Sequence, residues 1–133
     1  MINFLEKHNK ISITITILLA LFIFYMSSLP GEKISAGIGI PILSWETIVY
    51  HFVIFSALCF SVNISIVRGR SNRKLFIPLA IVVTIIYGAS DELHQLFVPG
   101  RFCGIVDVLT DSFGALSAGI IYYLRLKFIH VRI

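Results

Sequence analysis

Charged residues are scarce in this sequence. Of its 133 residues, 14% are Asp, Glu, Lys or Arg and 57% are apolar, whereas a soluble domain carries about 25% charged residues. The mean hydropathy is +0.92. This composition excludes an ordinary soluble domain, because a small domain exposes much of its surface to water. The length allows one compact unit, residues 1–133.

Cysteine is also scarce, and recognisable catalytic motifs are lacking. The two cysteines, Cys59 and Cys103, show neither metal-binding nor disulfide spacing, and we expect them to lie at different depths without a bond. No H-E-x-x-H motif, P-loop, dinucleotide fingerprint or nucleophile elbow is present. The net charge of +4 comes from bases that flank apolar runs, so we expect no nucleic-acid partner.

Four apolar segments are long enough to cross a bilayer, which takes about 20 residues. The first is longer than the apolar region of a signal peptide and lacks a small-x-small cleavage site, so we expect it to be retained. The sequence therefore predicts an all-α polytopic membrane protein with a small antiparallel bundle of four transmembrane helices. The predicted spans are roughly 11–29, 47–67, 75–97 and 103–124.

The turn between the third and fourth spans is marked by Val98-Pro99-Gly100-Arg101. Proline followed by glycine is the order that a type II turn prefers. We expect this turn to fold the two spans into a tight hairpin. Aromatic residues near the ends of the spans are typical of interfacial belts, with Trp45, Tyr25 and Tyr50 at one boundary and Tyr122 and Tyr123 at the other.

The basic residues predict the orientation. Nine of the eleven lie in the N-terminus, the second loop and the C-terminus, whereas the first and third loops hold only Lys33 and Arg101. The positive-inside rule then places both termini in the cytoplasm and the protein in the cell membrane. Six of the seven acidic residues lie toward the outer face, Glu6 being the exception.

A cluster of polar residues lies at one depth in this apolar chain. At about 1.5 Å per residue, His51, Asp91 and Asp107 all lie roughly 25 Å above the cytoplasmic basic residues. Ionisable groups at membrane depth are costly, so such a cluster marks a functional site by default. The polar residues of the stretch 91–111 are Asp91, Glu92, His94, Gln95, Arg101, Asp107 and Asp111.

Helical spacing predicts which of these residues share a face. Asp91, His94 and Gln95 stand at positions i, i+3 and i+4, and Glu92 is about 100° away from them. We expect Glu92, like Glu46, to be exposed at headgroup level. On the fourth span one stripe combines carboxylates with small residues that permit close helix packing; its members are Asp107, Asp111, Gly114 and Ala118.

Several kinds of chemistry fit the cluster. A purely structural network could pair Arg101 with Asp91 or Asp107. A divalent metal such as Zn²⁺ or Mn²⁺ could be held by His94, Asp91, Asp107, Asp111 and His51, although no specific motif indicates one. The candidate catalytic residues, if the protein is an enzyme, are Asp91, His94, Asp107 and Asp111, since neighbouring carboxylates can supply one acid and one base.

Binding is a further alternative. The guanidinium of Arg101 suits a phosphate, because its planar fork can donate two hydrogen bonds at once. Hydroxyl, amide and imidazole groups at the same depth could complete the site. The other candidate binding residues are Gln95, Glu92, His51 and Ser28, with Ser27 beside the last.

At these residues the sequence resembles the VanZ-like family of bacterial membrane proteins. Ser27, Ser28, Pro30, His51 and Phe52 also match the pattern, whereas Ile48 stands where many members carry a base. The resemblance implies four membrane spans and an envelope role linked to resistance to glycopeptides such as teicoplanin, without implying a reaction. The motif residues of the last two spans are Ser90, Asp91, Glu92, His94, Gln95, Phe97, Pro99, Gly100, Arg101, Asp107, Asp111 and Gly114.

Two functions remain open from the sequence. The first is an outer-leaflet site that binds a phosphate-bearing lipid or a lipid-linked cell-wall component. The second is an intramembrane hydrolase or transferase acting on the same class of substrate. An ion-coupled carrier is disfavoured, because the inner halves of the spans offer few polar groups. The expected partners are membrane lipids or envelope precursors, and the small residues near Gly114 could also support a homo-oligomer.

Overall fold

The computed structural model describes residues 2–30, 45–67, 73–101 and 103–130, and these residues form helices without a strand. A short helix, α1 (Ile2–Lys7), precedes α2 (Asn9–Ser28) and α3 (Trp45–Val67). A 3₁₀ turn (Arg73–Phe76) leads into α4 (Ile77–Gln95), which is followed by α5 (Ile105–His130). Residues 31–44 of the predicted first loop, with Lys33, and the basic residues Arg68 and Arg70 of the second loop lie outside the described residues.

Four of these helices, α2 to α5, are long and apolar enough to cross a membrane. They match the four predicted spans to within a few residues at most ends. The outside of the bundle is apolar, as shown by the exposure of Leu18, Ile120 and Phe97 at 60%, 58% and 84%. A lipid environment accounts for such a surface, since water would make it costly. The all-α prediction with four packed spans is confirmed.

Contacts between side chains give the helix directions. His51 near the start of α3 contacts Asp111 near the start of α5, so these two helices run parallel. The Gly88 backbone of α4 lies beside Asp111, although Gly88 is near the end of its helix, so α4 runs antiparallel to α5. The hydroxyl of Tyr87 in α4 donates to the carbonyl of Ala20 in α2 at 2.7 Å, so these two helices are in contact.

Close packing of α3 against α5 depends on a glycine. A Cβ atom at Gly114 would lie 2.6 Å from the carbonyl oxygen of Phe52 and 3.1 Å from Oγ of Ser56. The Ser56 hydroxyl donates to the Gly114 carbonyl at 3.1 Å. Small residues allow this approach, and it brings the polar residues near the starts of both helices within reach of one another.

The turn before α5 has the predicted type II geometry. Gly100 has φ of 76°, and the Arg101 N–H donates to the Val98 carbonyl at 3.1 Å. Only a residue without a Cβ adopts this conformation readily. The turn joins α4 to α5 as the sequence predicted.

At the other end of the bundle, α1 is anchored to α5. The Tyr122 hydroxyl and the Arg125 guanidinium both donate to Oε1 of Glu6, at 2.7 and 2.5 Å. Tyr122 is fully buried. It therefore contacts protein and not the membrane interface, so its predicted place in an aromatic belt was wrong; α1 folds back over this residue and supplies a carboxylate for its hydroxyl.

Candidate functional site

Polar side chains from three helices meet near one end of the bundle, where α2 and α4 end and α3 and α5 begin. We call this the polar end. The residues that form its buried centre, the polar layer, are His51, Asp91, Glu92, Gln95 and Asp111, each at most 6% exposed.

A histidine and an aspartate form the deepest contact of the polar layer. His51 Nδ1 lies 2.9 Å from Oδ1 of Asp111. The second oxygen of Asp111, Oδ2, is buried and has no hydrogen-bond partner among the described residues. Gly88 leaves room for this aspartate, because a Cβ there would lie 3.2 Å from Asp111 and 3.1 Å from the ring of Phe55.

Glu92 belongs to the polar layer and is 1% exposed, so its predicted exposure at headgroup level was wrong. Oε1 accepts a hydrogen bond from Nε2 of Gln95 at 3.1 Å, and Oε2 accepts one from the Gly104 N–H at 3.1 Å. Helical spacing alone puts Glu92 about 100° from the face of Asp91. In the fold, the turn that leads into α5 covers a second face of α4.

Asp91 lies beside Glu92 and is 5% exposed. Its Oδ2 accepts a weaker hydrogen bond from Nε2 of Gln95 at 3.3 Å. Its Oδ1 is buried without a partner among the described residues. One amide group therefore serves two carboxylates, and one of the Asp91 oxygens remains available to a ligand.

Asp107 is half-buried at the first turn of α5. A carboxylate is favourable there because the first N–H groups of a helix carry partial positive charge. Its Oδ2 would lie 2.6 Å from a Cβ at Gly104, and its Oδ1 is buried without a partner in the described part of the chain. Asp107 thus borders the polar layer.

His94 points away from the polar layer toward α2. Its Nε2 lies 3.0 Å from Oγ of Ser28, and its ring lies over Phe24 at 4.7 Å between centroids. The Ser28 hydroxyl donates to the Phe24 carbonyl at 2.6 Å, so His94 Nε2 must donate to Ser28. A base would have to accept the serine proton, and this pair therefore does not form an activated nucleophile.

Arg101 holds the end of α2. Its Nε donates to the Leu29 carbonyl at 3.0 Å and its Nη2 to the Met26 carbonyl at 2.8 Å. The last carbonyls of a helix lack partners within the helix and favour a nearby cation. The partners of Arg101 are therefore main-chain oxygens, where the sequence suggested Asp91 or Asp107.

A small cavity of about 50 Å³ opens between α2, α3 and α4 at the polar end. Polar and apolar side chains line it together, and the side chain of Arg101 is among them. The residues lining it are Ile23, Met26, Ser27, Tyr50, His51, Phe55, Asp91, Gln95 and Arg101. Ser27 Oγ is buried and has no partner among the described residues.

The cavity adjoins an apolar groove on the lipid-facing side of α3. The groove measures about 430 Å³ and is lined by Trp45, Glu46, Val49, Tyr50, Val53 and Ile54. Tyr50 lines both spaces. Tyr50 therefore stands in the wall of both the cavity, which several polar side chains line, and the apolar groove.

The residues that could hold a metal differ from the predicted set. One ligand atom each from His51, Glu92 and Asp111 lies within 4.8 Å of the other two. His94 lies against α2 instead, and Glu92 was not among the predicted metal ligands. The sequence signal that could have identified Glu92 is its spacing, four residues after Gly88 and three before Gln95, which are both buried in α4.

These features define a class of protein: a four-helix membrane bundle with a buried layer of carboxylates, imidazole and amide near one end. The family model described as VanZ/LLP1 matches residues 12–127. The chain therefore belongs to the VanZ/LLP1 family, as its motif residues predicted. No curated protein and no solved structure matches the chain.

Proposed function

We propose that this protein is a bacterial cell-envelope protein that binds a phosphate-bearing lipid or a lipid-linked cell-wall component at its polar end. The distribution of basic residues supports an orientation in which both termini are cytoplasmic and the polar end lies in the outer leaflet. The site would then be accessible to envelope lipids and to precursors displayed outside the membrane.

The observation that carries this proposal is the shared wall at Tyr50. An amphiphile needs a polar site for its headgroup and an apolar surface for its chain. The cavity supplies the first and the groove along α3 supplies the second. Because the cavity is small, it fits a single phosphate or amine group, with the remainder of a headgroup outside it.

The charges of the cavity favour a headgroup with both an acceptor and a donor. Arg101 keeps N–H groups beyond the two bonds to α2, since a guanidinium has five. Those remaining groups would bind phosphate oxygens. Oδ1 of Asp91, which has no partner among the described residues, would accept a hydrogen bond from an amine or hydroxyl of the same ligand.

An effect on glycopeptide susceptibility follows from this proposal. Teicoplanin-type antibiotics act on cell-wall precursors outside the membrane, and a protein that binds lipid or precursor there would change their access. We expect expression of the wild type to raise the teicoplanin concentration that cells tolerate.

A second candidate function is an intramembrane hydrolase or transferase. The buried pair of His51 and Asp111 favours it, because a carboxylate orients an imidazole for general base catalysis. His51 would take the proton of an attacking water or hydroxyl and return it to the leaving oxygen. In this reading the catalytic base is His51, since His94 is bonded to Ser28.

Lipid analysis tests the binding proposal. Full-length protein purified in nanodiscs made of cell lipids should retain a phospholipid or lipid-linked phosphate in native mass spectrometry. Arg101→Lys and Asp91→Asn should each reduce retention by about tenfold, a loss of roughly 1.4 kcal/mol per variant. The matched control is Ser90→Ala, since Ser90 is exposed and donates only to its own helix at Tyr87.

Equal retention by all four proteins, each shown to be folded by its melting temperature, would contradict the binding proposal. Extracts of the same cells distinguish the second candidate. A lipid or precursor species that changes with the wild type and is restored in cells that express His51→Ala, which lacks the proposed base, indicates catalysis. A lipid profile unaffected by either protein, together with retained lipid, indicates binding.

A further inference from the structure

The polar layer has more acceptors than donors. Four carboxylates, Asp91, Glu92, Asp107 and Asp111, lie in or beside it. The donors that reach them within the described residues are Gln95, the Gly104 N–H and the imidazole of His51. Three carboxylate oxygens, one each on Asp91, Asp107 and Asp111, are buried and have no partner among those residues.

The donors of Arg101 that have partners do not relieve this excess. Two donors of Arg101 are directed at the main-chain carbonyls of Met26 and Leu29, at the end of α2. Buried carboxylates that lack both hydrogen bonds and counter-charges are costly. A positive charge within the layer would offset this excess and give the partnerless oxygens a ligand.

Three side chains of the polar layer converge on one point. His51 from α3, Glu92 from α4 and Asp111 from α5 each offer a ligand atom, and the three atoms lie within 4.8 Å of one another. All three residues are buried, at 6%, 1% and 1% exposure. Ligands about 2.0–2.2 Å from a common ion are separated by less than this distance. Small side-chain adjustments would therefore place an ion between them.

Neighbouring hydrogen-bond donors hold the Glu92 carboxylate in an orientation suited to metal binding. Gln95 Nε2 donates to one oxygen of Glu92 and the Gly104 N–H donates to the other. Metal-binding carboxylates are commonly held in this way by a second layer of hydrogen bonds. Each oxygen keeps a further lone pair for an ion. The partnerless Oδ2 of Asp111 offers another ligand atom in the same layer.

We propose that His51, Glu92 and Asp111 bind a divalent transition-metal ion, Zn²⁺ or Mn²⁺. One imidazole and two carboxylates are a donor set that these ions accept, and a set of three protein ligands leaves a coordination position open. Because His51 also lines the cavity, the open position would lie beside it. Provided that the proposed lipid function holds, the ion supplies a further positive charge for a phosphate beside that of Arg101.

The test is the metal content of the full-length protein purified in detergent. After chelation, dialysis against ZnCl₂ or MnCl₂ and gel filtration, we expect about one ion per chain by elemental mass spectrometry. His51→Ala and Glu92→Gln should each lower this to about a tenth. His94→Ala should keep the wild-type value, since this imidazole lies at the same end of the bundle but is bonded to Ser28.

Thermal unfolding supplies a readout that separates loss of metal from loss of folding. The melting temperatures of the wild type and His94→Ala should fall on chelation and recover with the metal. Glu92→Gln, which keeps the shape of the side chain, should melt at one temperature in both conditions. Wild-type protein that takes up no Zn²⁺ or Mn²⁺, or loss of metal from His94→Ala as large as from Glu92→Gln, would overturn the proposal.

The two proposals can fail separately. Metal binding is measured in detergent without added lipid, whereas lipid retention is measured with Arg101→Lys. Bound metal without lipid retention would leave the metal site intact and remove the lipid function. Lipid retention by a protein that binds no metal would leave the lipid function intact and remove the metal site.

Discussion

Individual residues at the polar end do several tasks at once. Gln95 is the clearest case, because its amide nitrogen donates to both Glu92 and Asp91. Arg101 likewise binds two carbonyls of α2 and also lines the cavity. Side chains with several donors are effective here, since the layer has few donors for its many carboxylate oxygens.

Replacing Gln95 with leucine should lower the stability of the bundle. The substitution removes the donor of two buried carboxylate oxygens and keeps a similar side-chain volume. Leaving buried polar groups without partners costs about 1–3 kcal/mol. We expect a lower melting temperature in detergent, measured by circular dichroism.

Leu96→Ala is the matched control for this experiment, since Leu96 is the next residue and is 58% exposed. It should change the melting temperature little. A Gln95→Leu protein as stable as this control would show that the carboxylates do not depend on the amide.

At the scale of the helices, small residues decide how the polar side chains meet. Gly114 lets α5 lie directly against the Phe52 carbonyl of α3. Gly88 leaves space on α4 for Asp111. Because interhelical hydrogen bonds in membranes contribute modestly, close packing rather than the polar contacts sets the spacing between these helices.

Gly114→Ala should separate α3 from α5. The new Cβ would be 2.6 Å from a backbone oxygen, which cannot move without its helix. We expect a loss of about 1–3 kcal/mol from overpacking, seen as a lower melting temperature, together with weaker retention of metal and lipid.

Leu116→Ala provides the comparison for Gly114→Ala, because Leu116 is 42% exposed on the outside of α5. It should retain both ligands at the wild-type level. Full retention of metal and lipid by Gly114→Ala would mean that the spacing of α3 and α5 tolerates the added methyl group.

At the scale of the whole molecule, the two cysteines report the orientation. Cys103 is exposed in the segment between α4 and α5, whereas Cys59 is fully buried in the bundle. The proposed orientation puts Cys103 outside the cell. A membrane-impermeant maleimide should then label the wild type at Cys103 in intact cells. Cys103→Ser should remain unlabelled.

The pH of the labelling matters. Desolvation, and to a smaller extent the negative charges of Glu92 and Asp107, raises the pKa of the Cys103 thiol above its ordinary value. The reactive thiolate is then scarce at neutral pH, and the labelling rate should keep rising as the pH is raised through and beyond the ordinary cysteine pKa. Labelling that requires permeabilised cells would place the polar end on the cytoplasmic side and contradict the proposed orientation.

Much of the architecture follows from local features of the sequence. The four apolar runs predicted the four spans, because a bilayer-length helix needs only its own residues to satisfy its backbone. Val98-Pro99-Gly100-Arg101 predicted the type II turn, since φ of Gly100 depends on local sterics. The shared depth of His51 and Asp91, which line one cavity, also followed from counting residues along straight helices.

The tertiary structure alone decided which side chains meet. Three contacts depend on parts of the chain outside the helix concerned: the cover that the turn before α5 gives to Glu92, the bond between His94 and Ser28, and the contact of Tyr122 with Glu6. Depth is set by one helix and its rise per residue. Which side chains contact one another is set by how neighbouring helices rotate and pack, and no single span of sequence carries that information.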